Sequence, residues 1–196
     1  MSSINRKTAR HSIFQRCGVK LIIGLGNPDK EYEKTFHNVG FLFADFLNNK
    51  TGVQWKRSKN FEYFKEGEVV IIKSSVFMNE SGKAVSEAIK YFSQKSAIRP
   101  EQILIIHDDA DIELGKYKLQ FNRSSAGHKG VESIIHALKT QKFWRLRIGI
   151  NGTKTGLLVK LRGRKKAGDL VLRKISNEDL KKISSVFEKA PREIFH

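Results

Sequence analysis

Residues 19–25, Val19-Lys20-Leu21-Ile22-Ile23-Gly24-Leu25, form a short apolar run rich in β-branched residues, and Gly26-Asn27-Pro28-Asp29 closes it with a turn signal. The run is too short for a helix of ordinary length and reads as a buried strand. Beyond His37 and Asn38, apolar residues fall at Val39, Leu42, Phe43, Phe46 and Leu47, with Gly52 soon after. That spacing predicts an amphipathic helix. The alternation continues outward. Residues 61–65 and 68–73 read as strands of a hairpin meeting at Gly67. A second helix follows Asn79, with Val85, Ala88, Ile89 and Phe92 on one face. Ile103 to Ile106 is another buried strand, ending in an acidic cluster. Residues 116–121 form a strand, and a Ser/Gly-rich loop leads into a helix carrying Val131, Ile134, Ile135 and Leu138. Residues 146–150 form a strand. Ser176 opens a last helix whose apolar positions are Leu180, Ile183 and Phe187. Glu178 and Asp179 in its first turn complement the helix dipole. Strands and helices that alternate around one hairpin predict an α/β sandwich on a mixed sheet.

The chain has 196 residues and 39% hydrophobic residues, which suits one domain with one sizeable core. No apolar run approaches the ~20 residues of a membrane span. The single cysteine, Cys17, leaves no internal disulfide and suits a reducing compartment. Charge is the informative property. Lys plus Arg is 37 against 20 Asp plus Glu, a net of +17. An excess of that size points to a polyanionic partner, and no basic amphipathic helix favours a membrane over nucleic acid. Residues 1–17 carry Arg6, Lys7, Arg10 and Arg16 without an acid. They read as a basic, flexible extension to a domain spanning 18–196. With no apolar core they do not resemble a secretory signal, and an organellar transit peptide is the alternative. Residues 151–168 are Gly-rich, hold six basic residues and no acid, and read as a mobile basic loop.

Four polar clusters follow strands or precede helices, where ligands collect in open α/β sheets. The first runs from Asn27 through Tyr32 to His37 and Asn38. His37 sits at a helix start, which favours the neutral imidazole that a general base needs; a surface or capping histidine is the plainer reading. The second is Phe77-Met78-Asn79-Glu80-Ser81-Gly82, where Asn79 is a helix N-cap or a carbonyl- and water-holding amide. The third is His107-Asp108-Asp109-Ala110-Asp111. Its carboxylates suit the far nitrogen of a catalytic imidazole, a divalent metal, or a solvated acidic loop, and the residues alone leave all three open. The fourth is Ser124-Ser125-Ala126-Gly127-His128-Lys129-Gly130. Its glycines and the following helix start suit a phosphate or an oxyanion, though its spacing is neither a Walker nor a dinucleotide fingerprint.

Together, and in this order, these clusters resemble the bacterial-type peptidyl-tRNA hydrolase family. The matching stretches are LIIGLGNPDKEYEKTFHNVGF, FMNESGKAV, ILIIHDDADIELGK, SAGHKGVESII and FWRLRIGI, which run from about Lys20 to Ile150. The resemblance implies a metal-free and cofactor-free monomer with a three-layer α/β/α sandwich on a twisted mixed sheet. It implies hydrolysis of the ester between an N-blocked peptide and the 3′ end of tRNA, in the cytoplasm, recycling peptidyl-tRNA released in translation. His37 matches the family's catalytic base and Asp108 the partner that keeps it poised. Asn27 matches the residue that discriminates N-blocked from free aminoacyl-tRNA. Tyr32, Phe77, Met78 and Asn79 match the lining of the peptide and terminal-adenosine channel, and His128 and Lys129 are expected to touch substrate beside them. Lys118 and Arg147 match basic positions that grip tRNA phosphate.

The chain departs from the pattern in four places. Lys129 stands where the family has Asn, and retained activity with an altered grip on substrate is expected. Phe36 replaces an Arg before the catalytic His, removing one basic contact. Asp29 replaces a Gly after Asn-Pro and is expected to alter the turn. The loop after Gly149 is longer and more basic, so Lys160, Arg162, Arg164, Lys165 and Lys166 are expected to contact the acceptor arm. Two competing readings stand beside the hydrolase. One is a weak or inactive RNA-binding protein on the same scaffold, with Lys129 as its support. The other is a metal-dependent phosphodiesterase built on Asp108, Asp109 and Asp111.

Overall fold

A computed structural model describes residues 18–94, 96–152 and 170–195. Among the described residues, seven strands are formed: β1 (Leu21–Gly24), β2 (Lys56–Arg57), β3 (Phe61–Glu66), β4 (Val69–Ser74), β5 (Ile103–Glu113), β6 (Tyr117–Phe121) and β7 (Trp144–Asn151). The α-helices of the described residues are α1 (Val39–Thr51), α2 (Ser81–Phe92), α3 (Lys129–Leu138) and α4 (Asn177–Phe195), which pack on the sheet. The strands make one sheet in the order β2-β3-β4-β1-β5-β7-β6. β4, β1, β5 and β7 are parallel, β3 and β6 run antiparallel to them at either side, and β2 pairs antiparallel with β3 at the edge.

All four residues of β1 are buried, as expected of a central parallel strand covered on both faces. Side chains alternate between the two faces. Ile22, Ile71, Leu104, Ile106, Leu146 and Ile148 pack against Val39, Phe43 and Leu47 of α1 and Ile183, Val186 and Phe187 of α4. Leu21, Ile23, Ile72 and Ile105 pack against Val85 and Ala88 of α2 and Val131 and Ile134 of α3. The result is the expected three-layer α/β/α sandwich on a mixed sheet. Among the described residues, no helix is long and apolar enough to cross a membrane.

The site lies where this topology switches direction. From β1 the chain moves to β4 on one side, then crosses to β5 on the other, leaving a crevice at the carboxyl ends of β1 and β5. Two glycines let α1 sit directly on that crevice. A Cβ on Gly40 would lie 2.4 Å from the Ile106 carbonyl oxygen, and one on Gly24 2.3 Å from the Gly40 oxygen. Any side chain at either position would lift the start of α1, and His37 with it, away from β5.

Several local expectations are corrected. β5 continues to Glu113, so His107 to Asp111 lie within a strand rather than in a loop after one. Aspartate is a poor strand former, but β7 pairs in parallel from Leu104 to Asp109 and overrides that preference. Asn79 caps nothing; it lies in a 3-10 turn ahead of α2, whose N-cap position is Glu80. Leu180 is 36% exposed, while Ile183 and Phe187 are buried as expected. Strand β2 carries only charged, exposed residues and gives no apolar signal. The turn at Asp29 is ordinary: its φ of −72° needs no glycine. Cys17 and residues 1–17 fall outside the described residues, as do Lys160, Arg162, Arg164, Lys165 and Lys166.

Candidate active site

His37 is placed by its neighbours. It occupies a 3-10 turn, Phe36–Asn38, directly before α1. Phe36 is fully buried beneath it. Asn38 makes no helix cap; its side chain clasps the backbone of Asn27, accepting from the N–H at 2.9 Å and donating to the carbonyl at 2.9 Å. With both flanking residues fixed, the imidazole is directed into the crevice, where its Nδ1 meets Asp108 Oδ1 at 2.8 Å.

The tautomers follow from the partners. A carboxylate oxygen accepts, so His37 Nδ1 carries the proton and Nε2 keeps its lone pair. His128, the N-cap of α3, accepts from the Val131 N–H through its Nδ1 at 3.3 Å. Its proton therefore lies on Nε2, which donates to the same Asp108 Oδ1 at 3.1 Å. Burial alone would raise the Asp108 carboxyl. The charges and hydrogen bonds of His37 and His128 outweigh that and hold it well below the usual carboxylate range. His107 supports the array from within the sheet. Its Nδ1–H donates to the Asp108 carbonyl at 2.7 Å, and its ring meets that of His128 edge-on at 4.5 Å. Burial keeps His107 neutral, with its proton affinity well below the ordinary histidine value of 6.5.

Asn27 is oriented in the same way. Its Oδ1 accepts from the Met78 N–H at 2.8 Å, which leaves its NH2 as the group available to a ligand. Asn27, Tyr32, His37, Phe77, Met78, Asn79, Asp108, His128 and Lys129 all line one cleft of about 690 Å³. That is ample for a terminal nucleoside and an attached aminoacyl group. Lys118 and Arg147 lie outside it, as a cross-strand pair on β6 and β7. Lys118 is exposed. Arg147 is less free than expected, because its Nε donates to Asp109 at 2.6 Å and its Nη1 to Gln120 at 2.5 Å. At Phe36 the guanidinium of Arg173 stands over the ring, 5.6 Å from its centroid, so a cation remains close to the missing arginine's position.

The donor set does not suit a metal. Among the described residues, only His37, Asp108 and His128 bring ligand atoms together, within 4.8 Å of one another. Metal at His128 Nε2 would move its proton to Nδ1, pointing it at the Val131 N–H. Asp109 is committed to Arg147. The trio fits a hydrogen-bonded proton relay better than a metal ligand set, and Asp108, Asp109 and Asp111 do not converge as the phosphodiesterase reading requires.

Sequence reasoning missed the work of three residues. The clasp of Asn38 on Asn27 spans a turn that no periodicity reports. His107 hides beside Asp108 in a strand. Arg145 is 2% exposed on β7, and nothing in its pattern distinguishes it from the exposed arginines of a basic chain.

Comparison with known proteins agrees with this geometry. The family model described as peptidyl-tRNA hydrolase matches residues 21–195. A peptidyl-tRNA hydrolase of Caldanaerobacter subterraneus subsp. tengcongensis is 38% identical over 175 residues, covering 87% of this chain and 88% of that protein. One from Thermodesulfovibrio yellowstonii is 46% identical over 135 residues, covering 66% of this chain and 71% of its own. Among solved structures, peptidyl-tRNA hydrolase from Acinetobacter baumannii superposes with a TM-score of 0.77 at 28% identity, over 91% of this chain and 87% of that one. Family model, relatives and fold agree, and the chain belongs to the peptidyl-tRNA hydrolase family.

Proposed function

We propose that His37, held by Asp108, carries the reaction of this peptidyl-tRNA hydrolase: water cleaves the ester between an N-blocked peptide and the 3′ end of tRNA. The observation that supports this most is the His37–Asp108 pair, which leaves a lone pair on Nε2 at the wall of a nucleoside-sized cleft. Nε2 takes a proton from water as the water oxygen attacks the ester carbonyl. Asp108, ionised and already accepting the Nδ1–H, stabilises the imidazolium that forms. The same imidazolium then returns a proton to the departing ribose oxygen. The Asn27 NH2 and the exposed Asn79 amide are the donors for the tetrahedral oxyanion. An ester to a ribose hydroxyl is activated, so modest terms suffice. General base catalysis supplies about 10²–10⁴-fold, and each oxyanion donor about 10²–10³-fold.

Affinity for every tRNA calls for contacts that ignore sequence. A net charge of +17 supplies them. Among the described residues, Lys118 and Arg147 are the phosphate contacts we propose, and Lys160, Arg162 and Arg164 are further ones. Peptidyl-tRNA is the substrate, and a metal-independent monomer acting in the cytoplasm is the proposed working form.

The test is release of an N-acetylated aminoacyl group from tRNA by wild type and His37→Ala, with and without EDTA. The expected result is chelator-insensitive release that His37→Ala reduces at least about 100-fold. Tight tRNA binding without release by wild type would instead favour an inactive RNA-binding protein.

A further inference from the structure

Among the described residues, the cleft is lined by three carboxylates and one Lys or Arg cation. Two of the acids are already matched: Asp108 receives two imidazole N–H groups, and Asp109 is paired with Arg147. Asp111 is exposed. The cation is Lys129, the first residue of α3, which is exposed and has no hydrogen bond or ion pair with a described residue. It follows His128, whose Nε2 lies 3.1 Å from Asp108, so its flexible stem starts one residue from the catalytic array.

A solvated ammonium at this point is free to meet an anion, and the substrate offers two. One is the tetrahedral oxyanion formed during reaction. The other is the phosphodiester that joins the terminal ribose to the preceding nucleotide. The oxyanion is the poorer match. It forms against the cleft wall, where the 8%-exposed Asn27 presents a fixed donor. A solvated ammonium on four rotatable bonds gives little directed stabilisation in high dielectric. A phosphodiester stays solvated on one side, tolerates a mobile point charge, and lies one ribose from the ester. The free N–H groups at the start of α3 add positive potential at the same place.

We infer that Lys129 grips the phosphodiester nearest the scissile ester, so that this cleft selects nucleotide esters over nucleoside esters. The inference rests on the hydrolase reading of the cleft and names which part of the substrate meets α3. Lys129 is thus a specificity residue acting on ground-state and transition-state binding alike, which places its effect in KM rather than in kcat.

Two minimal substrates separate the possibilities: an N-acetylaminoacyl ester of adenosine, with no phosphate, and the same ester of cytidylyl-adenosine, with one. Wild type, Lys129→Met, Lys129→Arg and His37→Ala are compared on both. Lys129→Met is expected to lower kcat/KM on the dinucleotide ester about tenfold, mainly through KM. Its rate on the adenosine ester should stay within about twofold of wild type, and Lys129→Arg should restore most of the loss. Equal losses on both esters would overturn the inference and assign Lys129 to the carbonyl. Unchanged rates on both would also overturn it. His37→Ala inactive on both esters keeps the hydrolase reading intact whichever way Lys129 falls, and wild type inactive on both would remove the two together.

Discussion

The cleft and the β6–β7 face next to it handle charge in opposite ways. In the cleft, one carboxylate oxygen accepts from two imidazoles, each imidazole has its tautomer set by a second bond or left free for chemistry, and Asn27 is held by Asn38 and Met78. On the β6–β7 face, Arg147 takes the one nearby carboxylate, Asp109, while Lys118 stays exposed. Arg145 is buried with an unpartnered Nε; burial, and then the charge of Arg147, push its guanidinium down to about 10. Proton transfer needs a balanced array, because a misplaced proton there stops the reaction. Binding a polyanion needs surplus charge, because the ligand brings the balance with it. The same chain therefore carries a hydrogen-bonded proton-transfer array beside a face with surplus positive charge.

The largest effect should come from breaking the cleft at its centre. His37→Ala is expected to lower kcat about 10²–10⁴-fold with tRNA affinity retained, measured by single-turnover deacylation and by filter binding. Asp108→Asn should come next, at about 10²–10³-fold, because an amide offers the His37 Nδ1–H a donor as readily as an acceptor. Asn38→Leu leaves the Asn27 backbone N–H and carbonyl buried without partners. It should destabilise the fold by about 1–3 kcal/mol in urea denaturation and lower kcat along with stability. On the basic face the effects should be smaller and of another kind. Lys118→Gln is expected to raise KM for tRNA a few-fold, leave kcat unchanged, and lessen the salt dependence of binding by roughly one counterion. A fall in kcat for Lys118→Gln would mean that the two regions are not separable.

Acid should act on the cleft through buried groups. His107 is neutral when folded and takes a proton more readily when unfolded, so its contribution is present above the ordinary value of 6.5 and is lost as pH falls below it. Asp108 is depressed, so its contribution is present above the ordinary carboxylate range and is lost as pH falls below that range toward its depressed value. Stability should therefore decline in two stages. His107→Asn keeps a donor for the Asp108 carbonyl but cannot titrate, and should flatten the first stage alone in thermal melts between about pH 7 and pH 5.

Much of this was legible in the sequence. Apolar spacing at Val39, Phe43 and Leu47 and at Val131 and Ile134 marked the helix faces that are buried. The buried runs at Leu21 and Ile103 marked the central strands. Motif order groups His37, Asp108, Asn27 and Lys129, and all four line the cleft. What could not be read had non-local causes. Pairing with β7 draws Asp108 and Asp109 into β5 against their own preference. His128 joins Asp108 from an element 20 residues away in sequence. Asn38 reaches 11 residues back to Asn27. Arg147 is a free cation in the sequence and a paired one in the fold because Asp109 and Gln120 flank it across strands.

The central claim is that Asp108 acts through His37. A double-mutant cycle of single-turnover rate constants on N-acetylaminoacyl-tRNA, using wild type, His37→Ala, Asp108→Asn and the double variant, tests it most directly. If the claim holds, the double variant is no slower than His37→Ala, because the carboxylate has nothing left to orient. If the two losses multiply, Asp108 contributes to the reaction independently of His37, and the proposed relay is wrong.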